Sequence, residues 1–227
     1  MTDDDISQLV IGVFGGTGPQ GRGLAWRFAV AGLQVLVGSR DAERGARVAA
    51  EVDAILPTAV AHPVRGGTNA QVATDADLVI VAVPWEGHEA TLTALREQLA
   101  GKIVVDCVNP IGFDKQGGFA LDVPEGSAAQ QAAALLPESR VVAAFHHVSA
   151  VLLDDPTVST LDCDCLVLGD DREATDLVQA LAERIPGMRG VYAGRLRNAH
   201  QIEALTANLI SINRRYKAHA GIRVTDI

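Results

Sequence analysis

Short apolar runs rich in β-branched residues alternate along the chain with longer amphipathic segments, and this alternation predicts strands and helices in turn. The runs that predict buried strands are 9–14, 34–37, 78–83, 103–107, 141–145 and 165–168. An unbroken run such as 78–83 is typical of a parallel strand that is buried on both faces of a sheet. Strands and helices in this order predict an α/β fold with a doubly wound, mostly parallel sheet.

The amphipathic and alanine-rich segments predict the helices. They comprise a first helix that ends near Gly32, followed by helices over 41–55, 86–99, 128–136, 172–184 and 196–213. Weaker patterns predict a strand over 58–64, a short helix or turn over 69–76, a surface loop over 114–126 and a short strand over 190–193. The composition changes after residue 150. We therefore predict a dinucleotide-binding domain over residues 1–150 and a smaller α+β lobe over residues 151–227.

A glycine-rich turn, GGTGPQG over residues 15–21, lies between the first predicted strand and the first predicted helix. Gly16, Gly18 and Gly21 have the spacing G-x-G-x-x-G, which is meaningful only in this strand–turn–helix context. Glycines permit a tight turn and a close approach to a pyrophosphate, and the N–H groups and dipole of the helix face the anion. Pro19 suits the first helical turn, where the N–H that it lacks would be unpaired. The turn predicts a Rossmann-type dinucleotide site; the alternative is a βα turn without a ligand.

The end of the second predicted strand distinguishes NADP from NAD. An NAD site usually has an acidic residue here, which accepts a hydrogen bond from the ribose hydroxyl. This chain has Ser39 and Arg40, with Arg44 one helical turn further on. A hydroxyl and two guanidinium groups suit the 2′-phosphate of NADP, which Arg binds in a bidentate manner. The alternative is that Asp41 binds the ribose, although Asp41 is more easily explained as the N-cap of the next helix.

Three later strands end in further candidate residues, because ligands bind such sheets at the carboxyl ends of the strands. Pro84 and Trp85 are expected beside the nicotinamide, with packing of Trp85 on the next helix as the alternative. Asn109 follows the next strand. His146 and His147 follow the strand after that, and adjacent side chains on extended backbone point to opposite faces. At most one of the two histidines is therefore expected to face the site.

The composition narrows the classes of partner. The chain of 227 residues has a net charge of −9, which disfavours general binding to nucleic acids or anionic membranes. It has no apolar run of membrane-spanning length, and its acidic start lacks the pattern of a signal peptide. Cys107, Cys163 and Cys165 have no disulfide-framework spacing, which fits a reducing cytoplasm. The cysteines and the paired histidines also lack a structural-zinc spacing, so we predict no metal site.

The C-terminal part of the chain is basic although the whole chain is acidic. From Gly187 onwards there are seven Arg or Lys residues against two acidic residues. This excess suggests an anionic second ligand; the alternative is a solvated helix end with cations near its C-terminus. Within the last predicted helix, an apolar stripe is either a core stripe or a dimer face. The stripe consists of Ile202, Leu205, Leu209 and Ile212.

Five stretches of the chain occur in the order of one known family. They are residues 15–40, 81–86, 141–150, 168–171 and 193–222. In these stretches, which extend over nearly the whole length, the chain resembles the NADPH-dependent reductases of the deazaflavin coenzyme F-420. The resemblance implies hydride transfer between NADP(H) and coenzyme F-420, with the deazaflavin in a cleft between the Rossmann domain and the C-terminal lobe. Together with the apolar stripe, it also implies a homodimer.

The resemblance implies roles for individual residues. The cofactor-binding residues predicted in this way and from the patterns above are Gly16, Thr17, Gly18, Pro19, Gln20, Gly21, Ser39, Arg40, Arg44, Pro84, Trp85, Glu89, Asn109, His146, Val148 and Ala150. Residues 17–20 would hold the pyrophosphate, and the basic group after the second strand would hold the 2′-phosphate. Trp85, Glu89 and Ala150 fall on the nicotinamide side, and His146 and Val148 fall where the family lines the deazaflavin.

Hydride transfer between two planar rings needs close placement of the rings and few acids or bases. We therefore predict no obligatory general acid. His146 is the candidate catalytic residue, which would stabilise charge on the reduced deazaflavin; the alternative is a packed histidine. Two other functions stay open at this point. One is NADPH-dependent reduction of an imine, a ketone or a metal–flavin system, and the other is NADP(H) sensing without catalysis.

Overall fold

The structure, a computed structural model, describes residues 6–57 and 60–227. Within these ranges the strands are β1 (Val10–Phe14), β2 (Gln34–Ser39), β3 (Arg65–Thr68), β4 (Leu78–Val81), β5 (Ile103–Asp106), β6 (Ile111–Asp114), β7 (Gly117–Ala120), β8 (Arg140–Ala143), β9 (Cys163–Gly169) and β10 (Met188–Gly194). The helices are α1 (Pro19–Val30), α2 (Ala42–Asp53), α3 (Asn69–Asp75), α4 (His88–Ala94), α5 (Arg96–Leu99), α6 (Ala128–Leu135), α7 (Ala150–Asp154), α8 (Arg172–Ala182) and α9 (Ala199–Tyr216). Two short 3-10 helices, Trp85–Gly87 and Leu196–Asn198, precede α4 and α9.

Eight of the described strands form one sheet in the order β10-β9-β8-β5-β4-β1-β2-β3. Neighbouring strands are parallel except β8 and β9, which are antiparallel. Strand β1 lies between β2 and β4, so the order of connections reverses there, and such a switch point opens a crevice at the carboxyl ends of the strands. The predicted α/β fold with a doubly wound, Rossmann-type sheet is therefore confirmed.

Apolar side chains cover both faces of this sheet. One face packs against α1, α2 and α8 through residues such as Phe28, Val48 and Leu181. The other face packs against α3, α4 and α6 through residues such as Val72 and Leu92. Burial on both sides explains why the central strands are continuous apolar runs instead of alternating ones.

Strand β3 lies outside the predicted strand 58–64, of which residues 58 and 59 are outside the described residues. Residues 60–64 are not in a strand, and the strand begins at Arg65 instead. Its sequence, Arg-Gly-Gly-Thr, has no apolar pattern, because Gly66 faces the backbone of α2 at close range. A Cβ atom on Gly66 would lie 2.2 Å from the carbonyl oxygen of Gly45. This strand thus packs against a helix through its backbone, and it lacks the apolar side chains from which a strand is predicted.

Two other segments differ from their predictions. The start of the predicted loop 114–126 completes an antiparallel hairpin, β6 and β7, whose aromatic residues Phe113 and Phe119 are exposed. The predicted helix 86–99 is divided at Leu95, which lies between the end of α4 and the start of α5. None of the helices in the described ranges combines the length and apolar character needed to cross a bilayer.

Candidate functional site

The glycine turn after β1 depends on a left-handed residue that precedes the G-x-G-x-x-G spacing. Gly15 has φ +68°, and a Cβ atom there would lie 2.4 Å from the carbonyl oxygen of Ala82. A Cβ atom on Gly21 would lie 2.7 Å from the carbonyl oxygen of Gly15. Glycine is therefore required at both positions for the close approach of α1 to the turn and of the turn to the end of β4.

Gly18 has a different surrounding from the other glycines of the turn. A Cβ atom on Gly18 would meet one atom, the carbonyl oxygen of Gly15 at 3.6 Å. Gly18 is also the N-cap of α1, Pro19 begins the helix, and within the described residues no side chain caps this end. The N–H groups and the positive end of the helix dipole are thus left for a ligand, and this arrangement fits a pyrophosphate.

The turn forms one wall of a cleft of about 660 Å³, a size typical of a small-molecule site. The residues that line this cleft, called here the dinucleotide cleft, are Gly15, Thr17, Gly18, Pro19, Gln20, Ser39, Arg40, Arg44, Asn69, Ala82, Val83, Pro84, Glu86, Gly87 and Thr91. The glycine turn, the basic residues after β2 and Pro84 therefore share one concave surface. They come from the carboxyl ends of β1, β2 and β4.

At one end of the dinucleotide cleft, Ser39 is buried while Arg40 and Arg44 are exposed. The carboxylate of Asp41 accepts a hydrogen bond from the backbone N–H of Arg44 at 2.7 Å. Asp41 is thus the N-cap of α2, as we expected when we compared this role with binding of the ribose. Its carboxylate is used by the helix, and this leaves the two guanidinium groups to meet an anion.

Sequence reasoning missed Asn69, which lines the same cleft beside Ser39. Its side-chain oxygen is buried and has no hydrogen-bond partner among the described residues. This oxygen lies against β2, where a Cβ atom on Gly38 would be 2.6 Å away. Asn69 directly follows β3, the strand that the apolar pattern did not reveal. A correct prediction of β3 would have placed Asn69 at a strand end.

A second cleft of about 670 Å³ adjoins the first. It is lined by Gln20, Asn109, residues 146–151, Thr206, Leu209, Ile210, Asn213 and residues 217–220. The predicted residues Asn109, His146, Val148 and Ala150 thus lie together. The strand ends supply one side of this second cleft, and α9 with the segment after it supplies the other. Gln20 lines both clefts.

The expectation that at most one of the paired histidines faces the site assumed extended backbone, and the backbone differs from that assumption. Both His146 and His147 line the second cleft. Phe145 has φ +63°, and the backbone N–H of Val148 donates to the carbonyl of Phe145 at 3.3 Å. Residues 145–148 therefore form a tight turn instead of the extended backbone that the expectation assumed.

Both histidine rings are buried, with 3% of each residue exposed. Burial lowers the pKa of His146 and the pKa of His147 to about 4, so both rings are neutral at neutral pH. The Nε2 atom of His147 accepts a hydrogen bond from the backbone N–H of Leu166 at 3.2 Å, which leaves the ring proton on Nδ1. A neutral ring brings no positive charge to the cleft, and the catalytic role of His146 stays a prediction.

The backbone of His146 is held from two sides. Its carbonyl oxygen accepts hydrogen bonds from Nδ2 of Asn109 at 2.8 Å and from Oγ1 of Thr206 at 3.1 Å. Asn109 follows β5, and Thr206 belongs to α9. The histidine turn is thus fixed to both sides of the second cleft.

Four predicted residues lie outside the lining of the two clefts. Trp85 packs on the ring of His88, with 5.5 Å between ring centroids, and against the apolar layer beneath. Glu89 is exposed on α4. Gly16 and Gly21 lie behind the turn, where a Cβ atom on Gly16 would be 2.8 Å from the side chain of Val37. Roles for Trp85 and Glu89 beside a nicotinamide stay predictions.

The basic residues of the C-terminal part divide into groups with different surroundings. Arg189 and Arg223 bind the buried carboxylate of Asp164 at 2.6 Å and 2.7 Å. Arg195 lies 3.5 Å from the carboxylate of Asp170. Within the described part of the chain, Lys217 is the one Arg or Lys residue that lines the second cleft.

The sequence model of a family described as coenzyme F420-dependent NADP oxidoreductase matches residues 10–110. The F420-dependent NADP reductase of Methanothermobacter thermautotrophicus is 44% identical over 98% of this chain and 97% of that protein. The F420-dependent NADP reductase of Methanocaldococcus jannaschii is 38% identical over 96% of this chain and 99% of that protein. A solved structure from Arthrobacter sp. FB24, named as a candidate F420-dependent NADP-reductase, has a TM-score of 0.81 and 27% identity over 96% of this chain and 100% of that chain. From these near-full-length similarities, the chain belongs to the family of F420-dependent NADP reductases.

Proposed function

We propose that the protein is an oxidoreductase that transfers a hydride between NADP(H) and the deazaflavin coenzyme F-420. The observation that carries this proposal is the junction of the two clefts. Gln20 lines both, so a ligand in the dinucleotide cleft adjoins a ligand in the second cleft. Family membership supports the identity of the two ligands.

In this proposal NADP(H) occupies the dinucleotide cleft. The turn at Thr17–Gln20 and the N-terminus of α1 hold the pyrophosphate through backbone N–H groups. Ser39, Arg40 and Arg44 hold the 2′-phosphate, since the carboxylate of Asp41 is used as a helix cap. The nicotinamide then lies toward Pro84 and the junction at Gln20, and its far side faces Ala150.

The deazaflavin occupies the second cleft, against His146 and Val148. We propose that residues 151–227 act as the smaller lobe that completes this cleft. Thr206 and Leu209 of α9 line it, as does the segment 217–220 that follows α9. The chain that follows this segment is bound to β9, because the backbone N–H of Val224 donates to the carboxylate of Asp164 at 2.6 Å.

The chemistry requires placement more than proton transfer. NADPH supplies the hydride at C4 of its nicotinamide, and the deazaflavin accepts it at C5. The protein must hold the two carbons roughly 3–3.5 Å apart and exclude water from between them. The neutral, buried rings of His146 and His147 suit such a wall, since burial holds their pKa values at about 4 and leaves them uncharged.

We further propose a cytoplasmic homodimer. The three cysteines are buried and free, which fits a reducing compartment.

The proposed dimer contact is at or near Leu205, Leu209 and Ile212 of α9. Leu209 is buried within one chain, whereas Ile212 is 40% exposed and available for contact with a second copy. Light scattering at micromolar concentration tests the homodimer, and a monomeric mass would overturn this part of the proposal.

The direct test of the function is to mix the purified protein with NADPH and oxidised coenzyme F-420 and to follow the deazaflavin absorbance. We expect the band to bleach, and to return when reduced coenzyme F-420 is mixed with NADP. Absence of turnover with the deazaflavin, combined with NADPH oxidation by an imine or a ketone, would instead support a different reductase. Tight NADPH binding without oxidation by either class of acceptor would support a sensor.

A further inference from the structure

A buried polar cluster lies behind the two clefts and joins three elements. Nε2 of His88 lies 2.6 Å from Oδ2 of Asp106, and Nδ1 of His88 lies 2.9 Å from Oε1 of Gln131. His88 and Asp106 are fully buried, and Gln131 is 6% exposed. The cluster therefore connects α4, the end of β5 and α6 in the interior of the protein.

The contacts of His88 favour its protonated form. Nε2 of Gln131 donates to the carboxylate of Glu125 at 3.3 Å, so the amide presents its oxygen, not its NH₂ group, to His88. Both ring nitrogens of His88 then face oxygen atoms of their partners, and this arrangement favours a ring with a proton on each nitrogen. Burial opposes this charge, but the Asp106 carboxylate and the hydrogen bonds outweigh it and raise the pKa of His88.

Each partner of the ion pair belongs to a segment that lines a different cleft. His88 directly follows Gly87, which lines the dinucleotide cleft, and its ring supports Trp85. The other oxygen of Asp106 accepts from the backbone N–H of Val108 at 3.0 Å. The next residue, Asn109, lines the second cleft.

We propose that His88 and Asp106 are positioning residues that fix the distance and orientation between the two clefts for hydride transfer. This inference rests on the proposed function, because only a reaction across the junction needs that distance to be fixed. A misplacement of about 1 Å can slow a reaction between two bound partners by about 100-fold. Neither side chain touches the ligands or takes part in the chemistry.

Two substitutions of Asp106 separate geometry from charge. In Asp106→Asn, the amide oxygen can still accept from Val108, and the NH₂ group can donate to a neutral His88 whose Nδ1 still donates to Gln131. In Asp106→Ala both contacts are lost. In single-turnover measurements we expect Asp106→Ala to transfer the hydride about 10- to 100-fold more slowly than wild type and Asp106→Asn to stay within about threefold. The dissociation constant for NADPH should change much less than the transfer rate in either variant, since neither removes a side chain that lines the dinucleotide cleft.

Lys102→Met is the matched control for loss of stability. Lys102 precedes the opposite end of β5, and its Nζ donates to the carbonyls of Ala73 and Thr74, far from both clefts. It should lower stability and leave the rate of hydride transfer unchanged. If Asp106→Ala does not fold, Gln131→Met removes the acceptor of Nδ1 and should slow transfer several-fold, so a wild-type rate in that variant would overturn the proposal.

A measurement without turnover tests the protonation state. The ¹⁵N resonances of His88 should show a proton on Nδ1 in both the wild-type protein and Asp106→Asn, since the contact with Gln131 requires it. An unprotonated Nδ1 in the wild type would break the link to α6 and overturn the inference. A rate for Asp106→Asn as low as that of Asp106→Ala would assign the effect to charge and overturn the positioning role. A wild-type protein that does not reduce the deazaflavin would overturn the proposed function, whereas an active wild type with an equally fast Asp106→Ala variant would overturn the positioning role alone.

Discussion

Nε2 of Gln20 donates a hydrogen bond to the carbonyl of Phe145 at 3.1 Å, and this bond lies where the two clefts meet. Gln20 belongs to the first turn of α1, and Phe145 begins the histidine turn. The backbone N–H of Phe145 donates to Sγ of Cys165 at 3.3 Å, so the left-handed residue is held from both sides. The glycine turn of the dinucleotide cleft and the wall of the second cleft are therefore one connected structure.

A second connection acts deeper in the molecule. The buried guanidinium of Arg27 on α1 donates to the carbonyls of Leu152 and Leu153 in α7 at 2.7 Å and 3.0 Å. Close packing accompanies this, since a Cβ atom on Gly23 would lie 2.7 Å from the side chain of Leu153. Helix α7 carries Ala150 and Val151 at the edge of the second cleft. Helix α1 thus positions parts of both clefts.

Arg40→Ala tests the preference for NADPH over NADH. A charge-assisted hydrogen bond to the 2′-phosphate is worth about 2 kcal/mol, so NADPH should bind about 30-fold more weakly. NADH lacks this phosphate and should be affected little. Arg47→Ala is a matched control from α2, the helix that follows Arg40, because Arg47 pairs with Glu51 and does not line the cleft. Equal losses for the two nucleotides, measured as dissociation constants, would contradict the assignment.

Gly18→Ala and Gly21→Ala should separate ligand binding from stability. A methyl group at Gly18 makes an ordinary contact of 3.6 Å with the carbonyl oxygen of Gly15. Gly18→Ala should therefore keep the unfolding free energy near that of wild type and weaken NADPH binding by obstructing the pyrophosphate. A methyl group at Gly21 meets the backbone of Gly15 at 2.7 Å, so Gly21→Ala should destabilise the fold by about 1–3 kcal/mol. Urea unfolding and NADPH titration of both variants check the pair. A destabilised Gly18→Ala variant together with a stable Gly21→Ala variant would contradict this account.

The parts of the site that the sequence predicts are those set by local backbone rules. The glycine turn, the cap at Asp41 and the basic residues after β2 each depend on neighbours within a few positions. The contact between His88 and Gln131 joins positions 43 residues apart, and no local pattern reveals it. The backbone at the paired histidines was predicted wrongly as extended, because the non-glycine residue Phe145 adopts a positive φ. Its conformation is fixed by contacts with Gln20 and Cys165, which are also distant in the sequence.

The buried histidines should make the protein sensitive to acid. Burial holds the pKa values of His146 and His147 at about 4, against an ordinary value of 6.5. Between these pH values the unfolded chain binds protons that the folded chain does not, so stability falls as the pH falls from 6.5 to 4. The difference is worth about 3 kcal/mol for each ring at most.

His147→Gln tests this pH dependence, since the Gln side-chain oxygen can replace Nε2 as the acceptor for the backbone N–H of Leu166. Unfolding free energies from urea denaturation at several pH values should show a shallower decline between pH 6.5 and 4 in the variant than in wild type. Parallel curves for the two proteins would contradict the assignment of part of the acid sensitivity to this ring.

Lys217 is the cation expected to recognise the polyanionic tail of the deazaflavin. The protein carries a net charge of −9, so its overall field repels a ligand that bears a phosphate and glutamates, and a local cation must oppose this. The basic C-terminal part of the chain offers five candidates for this role: Arg195, Arg197, Arg214, Arg215 and Lys217. Of these, Lys217 lines the second cleft, and its left-handed backbone with φ +52° ends α9 there.

We therefore expect Lys217→Ala to raise the KM for coenzyme F-420 by about threefold to tenfold at low salt, the scale of one exposed ionic contact. The KM for NADPH should not change, because Lys217 does not line the dinucleotide cleft. Arg214→Ala and Arg215→Ala are matched controls from the last turn of α9, with the same loss of charge but no place in the cleft lining.

The effect of Lys217→Ala should shrink at high salt, since the screening length is about 8 Å at physiological ionic strength and shorter above it. Equal increases for all three variants would assign the effect to net charge instead, and an unchanged KM for Lys217→Ala would show that the basic segment has another purpose.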